Sequence, residues 1–190
     1  MRKTLANGIT MRTSRIDNSE SVCFILKLSF GSYCEPKELK GITHLTEHLC
    51  FRRNNGMCQA DFYYEIEKIG GYLRGITYRD CVIFEITVLK KYFSLALRII
   101  RGLFEDNEWT REDIRKEKAV VLREIENSCD FKYKQLMYDF FCKNFAGDDI
   151  LGTKSKILKC TMENIADWKS KLFSTKHTEI IAVGNLSERE

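Results

Sequence analysis

Three side chains in the stretch GITHLTEHLCF, residues 41–51, could do chemistry together. His44 and His48 stand four positions apart, and Glu47 follows the first by three, in a chain with three histidines in all. On an α-helix this spacing puts all three on one face, so two imidazoles can reach one ion. Zinc takes nitrogen, oxygen or sulfur ligands in a tetrahedron. In a catalytic site it leaves one position to water and lowers that water's pKa to about 7. A carboxylate beside the ion, here Glu47, is then a sufficient base near neutral pH. The plainer alternative is a partly buried helix that carries two histidines, but the full H-x-x-E-H pattern favours the metal.

A third protein ligand must come from elsewhere. His177 is the remaining histidine, yet it falls where a last strand begins. The segment KEKAVVLREIEN (116–127) offers more: Glu117 and Glu124 are two helical turns apart and share a face. Ala119, Val120, Val121, Leu122 and Ile125 would anchor this helix in the core. A carboxylate facing inward beside them is costly unless paired or bound to a cation. Glu117 reads equally well as a surface acid between Lys116 and Lys118, and Glu126 points to water.

These residues need elements to hold them. LANGITMRTSR (5–15) has an Asn-Gly turn and alternation, hence a strand; SVCFILKLSF (21–30) is a buried strand. A loop covers 31–41, and the helix with the histidines runs over 42–53. Residues 59–71 are helical in period and stop at two glycines. Residues 72–78 and 81–89 are strands joined at Arg79-Asp80. Helices follow over 91–106, from the cap Thr110 to about Asn127, over 130–145, and from the cap Thr161 to about Leu172. A strand over 178–186 closes the series. The order predicts an α+β fold, one mostly antiparallel sheet with helices packed on one face.

With 190 residues and 44% hydrophobic content, a single domain over 1–190 is expected. The net charge of +4, 31 basic against 27 acidic residues, is small and scattered, which argues against nucleic acid. The opening MRKTLANGITMRTSR has no apolar signal core, and no stretch of ~18 apolar residues could span a membrane; a cytoplasmic location without membrane contact is expected. Eight cysteines are present, none in a C-x-x-C pair. They read as reduced, mostly core residues rather than as a thiol-rich metal store.

Several motifs together resemble the inverzincin metallopeptidases of the pitrilysin/insulinase (M16) family, which includes the mitochondrial processing peptidases. They are LANGITM, GSYCEPKELKGITHLTEHLCF, IEKIGGYLRGITYRD, EKAVVLREI, LGTKSKI and IIAVGNL, in family order over nearly the whole chain. The resemblance implies that His44, His48 and Glu124 bind zinc and that Glu47 is the general base. It further implies that Glu117 supports the site from outside the ligand set, as such acids commonly do. The strand 72–78 would be an edge that pairs with an extended substrate peptide, with Arg74, Gly75 and Thr77 as substrate-binding residues. Here the family's Asn-Ala is replaced by Arg74-Gly75; Arg74 either puts a positive charge on that edge and favours acidic peptides or, at least as readily, is an outward-facing strand arginine. After the histidine motif FRRNN stands where Lys-Gly-Thr is usual.

The implied activity is zinc-dependent endopeptidase, possible substrates being leader or precursor peptides. Family members join this domain to a similar second one, which contributes an Arg/Tyr pair that holds the substrate. The chain therefore corresponds to one half of a two-domain unit. A partner subunit carrying the other half (a heterodimer) is expected, or else self-association. The competing function is a non-catalytic peptide-binding or scaffold subunit of a heteromeric complex. Such subunits typically lose the zinc motif, and here it is retained.

Overall fold

A computed structural model describes residues 2–105, 108–128, 140 and 150–186. A six-stranded sheet runs through it, built from β1 (Arg2–Thr4), β2 (Thr10–Arg15), β3 (Ser21–Leu28), β6 (Tyr72–Thr77), β7 (Val82–Leu89) and β8 (Thr178–Gly184), in the order β1-β2-β8-β3-β7-β6. Only the β2–β8 pair in it is parallel. The period of two is visible in the centre. Val22, Phe24, Leu26 and Leu28 of β3, with Val82, Phe84, Ile86 and Val88 of β7, are buried, and the residues between them are half-buried. The buried row packs against helix residues: Phe62 and Ile66 of α2 (Gln59–Glu67), Ile99 and Leu103 of α3 (Phe93–Phe104), and Leu172 of α6 (Met162–Leu172). The expected α+β layer is present, with its mostly antiparallel sheet.

A second apolar cluster lies among α1 (Ile42–Cys50), α4 (Arg111–Ser128), α5 (Lys154–Lys159) and α6. It holds Ile42, Leu45 and Leu49 of α1 with Ile114 and Val121 of α4. Of the five residues expected to anchor α4, Val121 is fully buried, while Leu122 and Ile125 pack at its border; Ile114 and Trp109 do much of the anchoring. α1 is thus enclosed by both clusters. Its only half-exposed residues are His44 and His48.

Several elements differ from expectation: α2 stops at Glu67 rather than 71, α3 covers Phe93–Phe104, and β8 ends at Gly184. Leu5 to Ile9 form a turn rather than strand, because the Gly8 N–H closes onto the Leu5 carbonyl at 2.9 Å and makes a β1–β2 hairpin. α1 ends at Cys50, not 53. Asn55 and Gly56, both at positive φ, force a two-residue turn between β4 (Arg53–Asn54) and β5 (Met57–Cys58). The loop 31–41 contains two short 3-10 turns. The helix expected over 130–145 lies outside the described residues except Phe140, as do Cys129 and Cys142. Of the six described cysteines, all free, Cys50, Cys81 and Cys160 are buried, whereas Cys34 and Cys58 are exposed.

Candidate metal centre

α1 is fixed at both ends before its side chains are considered. Gly41 precedes it at φ 95, and a side chain there would strike the Leu151 carbonyl, so the LGT segment can close over the helix start. The buried Glu35 carboxylate accepts from the N–H groups of Gly41 at 3.0 Å and Thr43 at 2.8 Å. It thereby satisfies donors that a helix leaves open and places a negative group at the positive end of the helix dipole. Trp168 donates its indole N–H to Thr43 Oγ1, and Trp109 donates to the Leu49 carbonyl. The first turn and the last are each pinned to the second cluster.

On this helix His44 and His48 point outward, their ring centroids 4.5 Å apart. Two turns past Glu117 on α4, Glu124 meets them. Its Oε2 is 3.7 Å from Nε2 of His44 and 3.7 Å from Nε2 of His48. One ligand atom from each of the three lies within 4.8 Å of the others. Ligands about 2.1 Å from a tetrahedral ion stand roughly 3.4 Å apart, so the cluster has the span a zinc ion needs. The 3.7 Å gaps are too long for hydrogen bonds, and buried His44 Nδ1 has no partner among the described residues. His44 therefore has no hydrogen bond on its ring among the described residues, and its Nε2 is open to a cation placed among the three groups. Burial, and next the neighbouring His48, push the His44 pKa down to about 3, which keeps the ring neutral and its lone pair available.

His48 is held differently. Its Nδ1 lies 3.1 Å from Oε2 of Glu117, and Glu117 in turn takes the Nε–H of Arg52 on Oε1. Donating from Nδ1 leaves Nε2 as the unprotonated nitrogen facing Glu124. Burial pulls the His48 pKa down, but the Glu117 hydrogen bond and the nearby carboxylates outweigh it and the net shift is upward. Glu117 is buried at 4% exposure; the surface-acid alternative does not describe it. Glu126 is exposed and 3.6 Å from Lys154.

Glu47 lies on the other side, under the edge strand. Thr77 donates its hydroxyl to Glu47 Oε2 at 3.3 Å. A Cβ on Gly75 would stand 2.1 Å from Glu47 Oε1, so the missing side chain there makes room for the carboxylate. Burial foremost, with the charges of Glu124 and Glu117, raises the Glu47 pKa to about 7 against the pull of His48 and Thr77. A carboxyl group at that value both accepts and releases a proton near neutrality. A cleft of about 420 Å³ joins His44, Glu47 and His48 to Gly75, Thr77 and Leu151.

Among the described residues the strand along this cleft, β6, pairs with β7 on one side only. Tyr78 donates its N–H to the Cys81 carbonyl across the turn. An antiparallel ladder alternates paired and unpaired residues, so the N–H and C=O of Leu73, Gly75 and Thr77 face the open edge. Arg74 is an exposed strand arginine bound to Glu85 of β7 at 2.7 Å and lying over the Tyr72 ring, so its charge is in part offset on the sheet itself. His177 stacks on Phe30, apart from the cluster. The sequence reading passed over Glu35, Arg52, Trp109 and Trp168. The signals available were an acid seven residues before the first helical residue and a basic residue one turn after His48.

Comparison with known proteins then bears on this geometry. The family model described as insulinase (peptidase family M16) matches residues 11–154. The chain belongs to the M16 peptidase family. An uncharacterized zinc protease of Rickettsia felis is 26% identical over 186 residues, covering 96% of this chain and 45% of the relative. The mitochondrial-processing peptidase subunit beta of Blastocladiella emersonii is 24% identical, covering 98% and 41%. This M16 chain thus spans about half the length of the curated relatives it matches. Among solved structures, a protease from Helicobacter pylori superposes with a TM-score of 0.90 at 19% identity, covering 100% of this chain and 47% of that one. A peptidase M16 inactive domain from Pseudomonas fluorescens superposes with 0.88 at 14%, covering 100% and 47%. Among the described residues no helix is long and apolar enough to cross a membrane.

Proposed function

We propose that this chain is the metal-bearing half of a zinc-dependent endopeptidase that cleaves extended peptides. The observation that carries the reading is the convergence of His44, His48 and Glu124 within 4.8 Å of one another, beside Glu47 and along an open strand edge. His44 Nε2, His48 Nε2 and Glu124 Oε2 would hold the ion. Bound there, zinc would supply Lewis acidity toward water and the scissile carbonyl. Glu117 orients His48. Leu73, Gly75 and Thr77 offer backbone N–H and C=O groups to the peptide, which adds a strand to the sheet. Thr77 turns its side chain to Glu47, so its contribution to the peptide is its backbone. Glu47 takes a proton from the attacking water and returns it to the leaving amine nitrogen as the C–N bond breaks.

The whole reaction needs more than these residues. Relatives about twice as long, one of them called a subunit, support a second M16-like half that supplies the Arg/Tyr pair, in a partner chain or a second copy. Leader or precursor processing is the substrate class, by analogy with the processing peptidase, and the cytoplasm the location. A scaffold role is the second reading; it is favoured by the same fold occurring in a domain described as inactive.

Metal content and peptide cleavage on wild type and Glu47→Gln, with and without a candidate second half, test both. One zinc per chain in both forms with cleavage only in wild type is expected. Zinc without cleavage under any condition would support the scaffold, and absence of zinc would end the metal reading.

A further inference from the structure

Arg52 and Arg53, at the end of α1, each grip α4. Arg52 binds Glu117 through Nε, and Arg53 Nε lies 3.0 Å from Asp113 Oδ2. Asp113 and Glu117 are one turn apart on α4, so the two arginines meet successive turns of the same helix face. The two pairs are not equivalent. Asp113 also serves Thr110, accepting its N–H and hydroxyl at the start of α4. Glu117 is buried, and its two oxygens are divided between Arg52 and His48. A buried carboxylate needs a counter-charge and filled hydrogen-bond positions; Arg52 supplies the first and fills one of the second. Its backbone is itself held, the Arg52 N–H donating to the Leu49 carbonyl at 3.0 Å.

We propose that Arg52 is a positioning residue of the metal centre: by holding Glu117 from one side it aims the other oxygen at His48 Nδ1, and so turns His48 Nε2 toward His44 and Glu124. The proposal rests on the zinc reading for its purpose, and on the contacts of Arg52 for its mechanism. The guanidinium suits the task because it keeps its charge and donates in a fixed direction. Through Glu117 the same contact sets the register of α4 against α1, which decides where Glu124, two turns later, stands.

The test compares the 190-residue chain with Arg52→Gln, Arg52→Lys and Arg53→Gln. Zinc affinity is read by competition with a chromophoric chelator, and the His48 tautomer in metal-free protein by ¹⁵N NMR at alkaline pH. Arg52→Gln is expected to weaken zinc binding by about 10–100-fold, the usual range for a residue behind a ligand, and to mix the Nδ1–H and Nε2–H forms. Arg52→Lys should restore most of both. Combining Arg52→Gln with Glu117→Gln should add little to either alone, because the two act through one contact. Arg53→Gln should lower the melting temperature and leave affinity and tautomer as in wild type. The proposal is overturned if Arg52→Gln behaves like Arg53→Gln. Should Arg52→Gln not fold, a Lys variant with a wild-type tautomer supports the proposal and one with a mixed tautomer at normal zinc affinity overturns it. If wild type takes up no zinc, the proposed function fails, and the tautomer still decides the role of Arg52.

Discussion

His44 and His48 sit one turn apart on the same helix, yet their surroundings are built on opposite plans. The His44 ring is held by enclosure: its Nδ1 is buried without a partner, while the helix turn beneath it is tied down by Glu35 and Trp168. The His48 ring is held by charge, through Glu117 and behind it Arg52. A rigid backbone can thus replace a hydrogen bond in aiming a ligand. The cost falls on protonation, since a deeply buried imidazole beside a second one resists charging and one facing three carboxylates invites it.

The largest effect should come from removing a ligand. His44→Ala or Glu124→Ala is expected to weaken zinc binding by two to three decades, about a quarter of the roughly 10–16 kcal/mol that a complete site gives. Zinc content after dialysis against a weak chelator measures it. Retention of one zinc per chain by His44→Ala would break the comparison, because that ring would then have no ligand role.

Next comes the pH dependence of metal-free stability, where the two rings should act with opposite sign. The folded pKa of His44 is about 3, below its usual 6.5. Its contribution is present above pH 6.5 and is lost as pH falls toward 3, by at most about 5 kcal/mol. The folded pKa of His48 is raised, so its contribution is full below the unfolded pKa and is lost as pH rises through the folded one. Urea unfolding of wild type, His44→Gln and His48→Gln at several pH values should show the first variant flattening the acid side and the second the alkaline side. Slopes that change alike in both would remove the distinction.

Two smaller changes sharpen it. Glu35→Ala deletes two charge-assisted hydrogen bonds and should cost about 3 kcal/mol of unfolding free energy, read in denaturant, while the His48 tautomer stays fixed. Arg74→Gln removes an exposed, solvent-screened cross-strand pair and should leave the denaturant midpoint almost unchanged. With Arg74 already offset by Glu85, the ratio of acidic to neutral peptide cleavage should not move; a fall in that ratio would restore the acidic preference read from the sequence.

Much of this was legible in the residues, for a physical reason. Helical spacing placed His44, Glu47 and His48 together, and a two-turn spacing put Glu117 and Glu124 on one face; both follow from backbone geometry alone. Apolar, β-favouring runs gave β3 and β7, while the Gly70-Gly71 pair marks a turn that follows α2, which already ends at Glu67. What escaped depended on contacts between distant segments. Arg52 gains its meaning only when Glu117 arrives from α4, and Arg74 loses its free charge only when β7 brings Glu85 beside it. Glu35 looked like a loop acid because its acceptors' donors belong to a helix start that folds back over it. The α1 terminus was overrun because the Asn-Gly turn after it competes with helix more strongly than the periodicity suggests.

The position of β8 has a consequence of another kind. It is the latest of the described strands, yet it lies between β2 and β3, which are among the earliest. Neither can find its lasting neighbour on that side until residues 178–184 have been made and brought back, a pairing of distant segments that slows folding. During synthesis the β3 edge on that side waits open, a template for unwanted strand pairing, and the β1-β2 and β3-β7-β6 parts of the sheet join only when that one segment arrives.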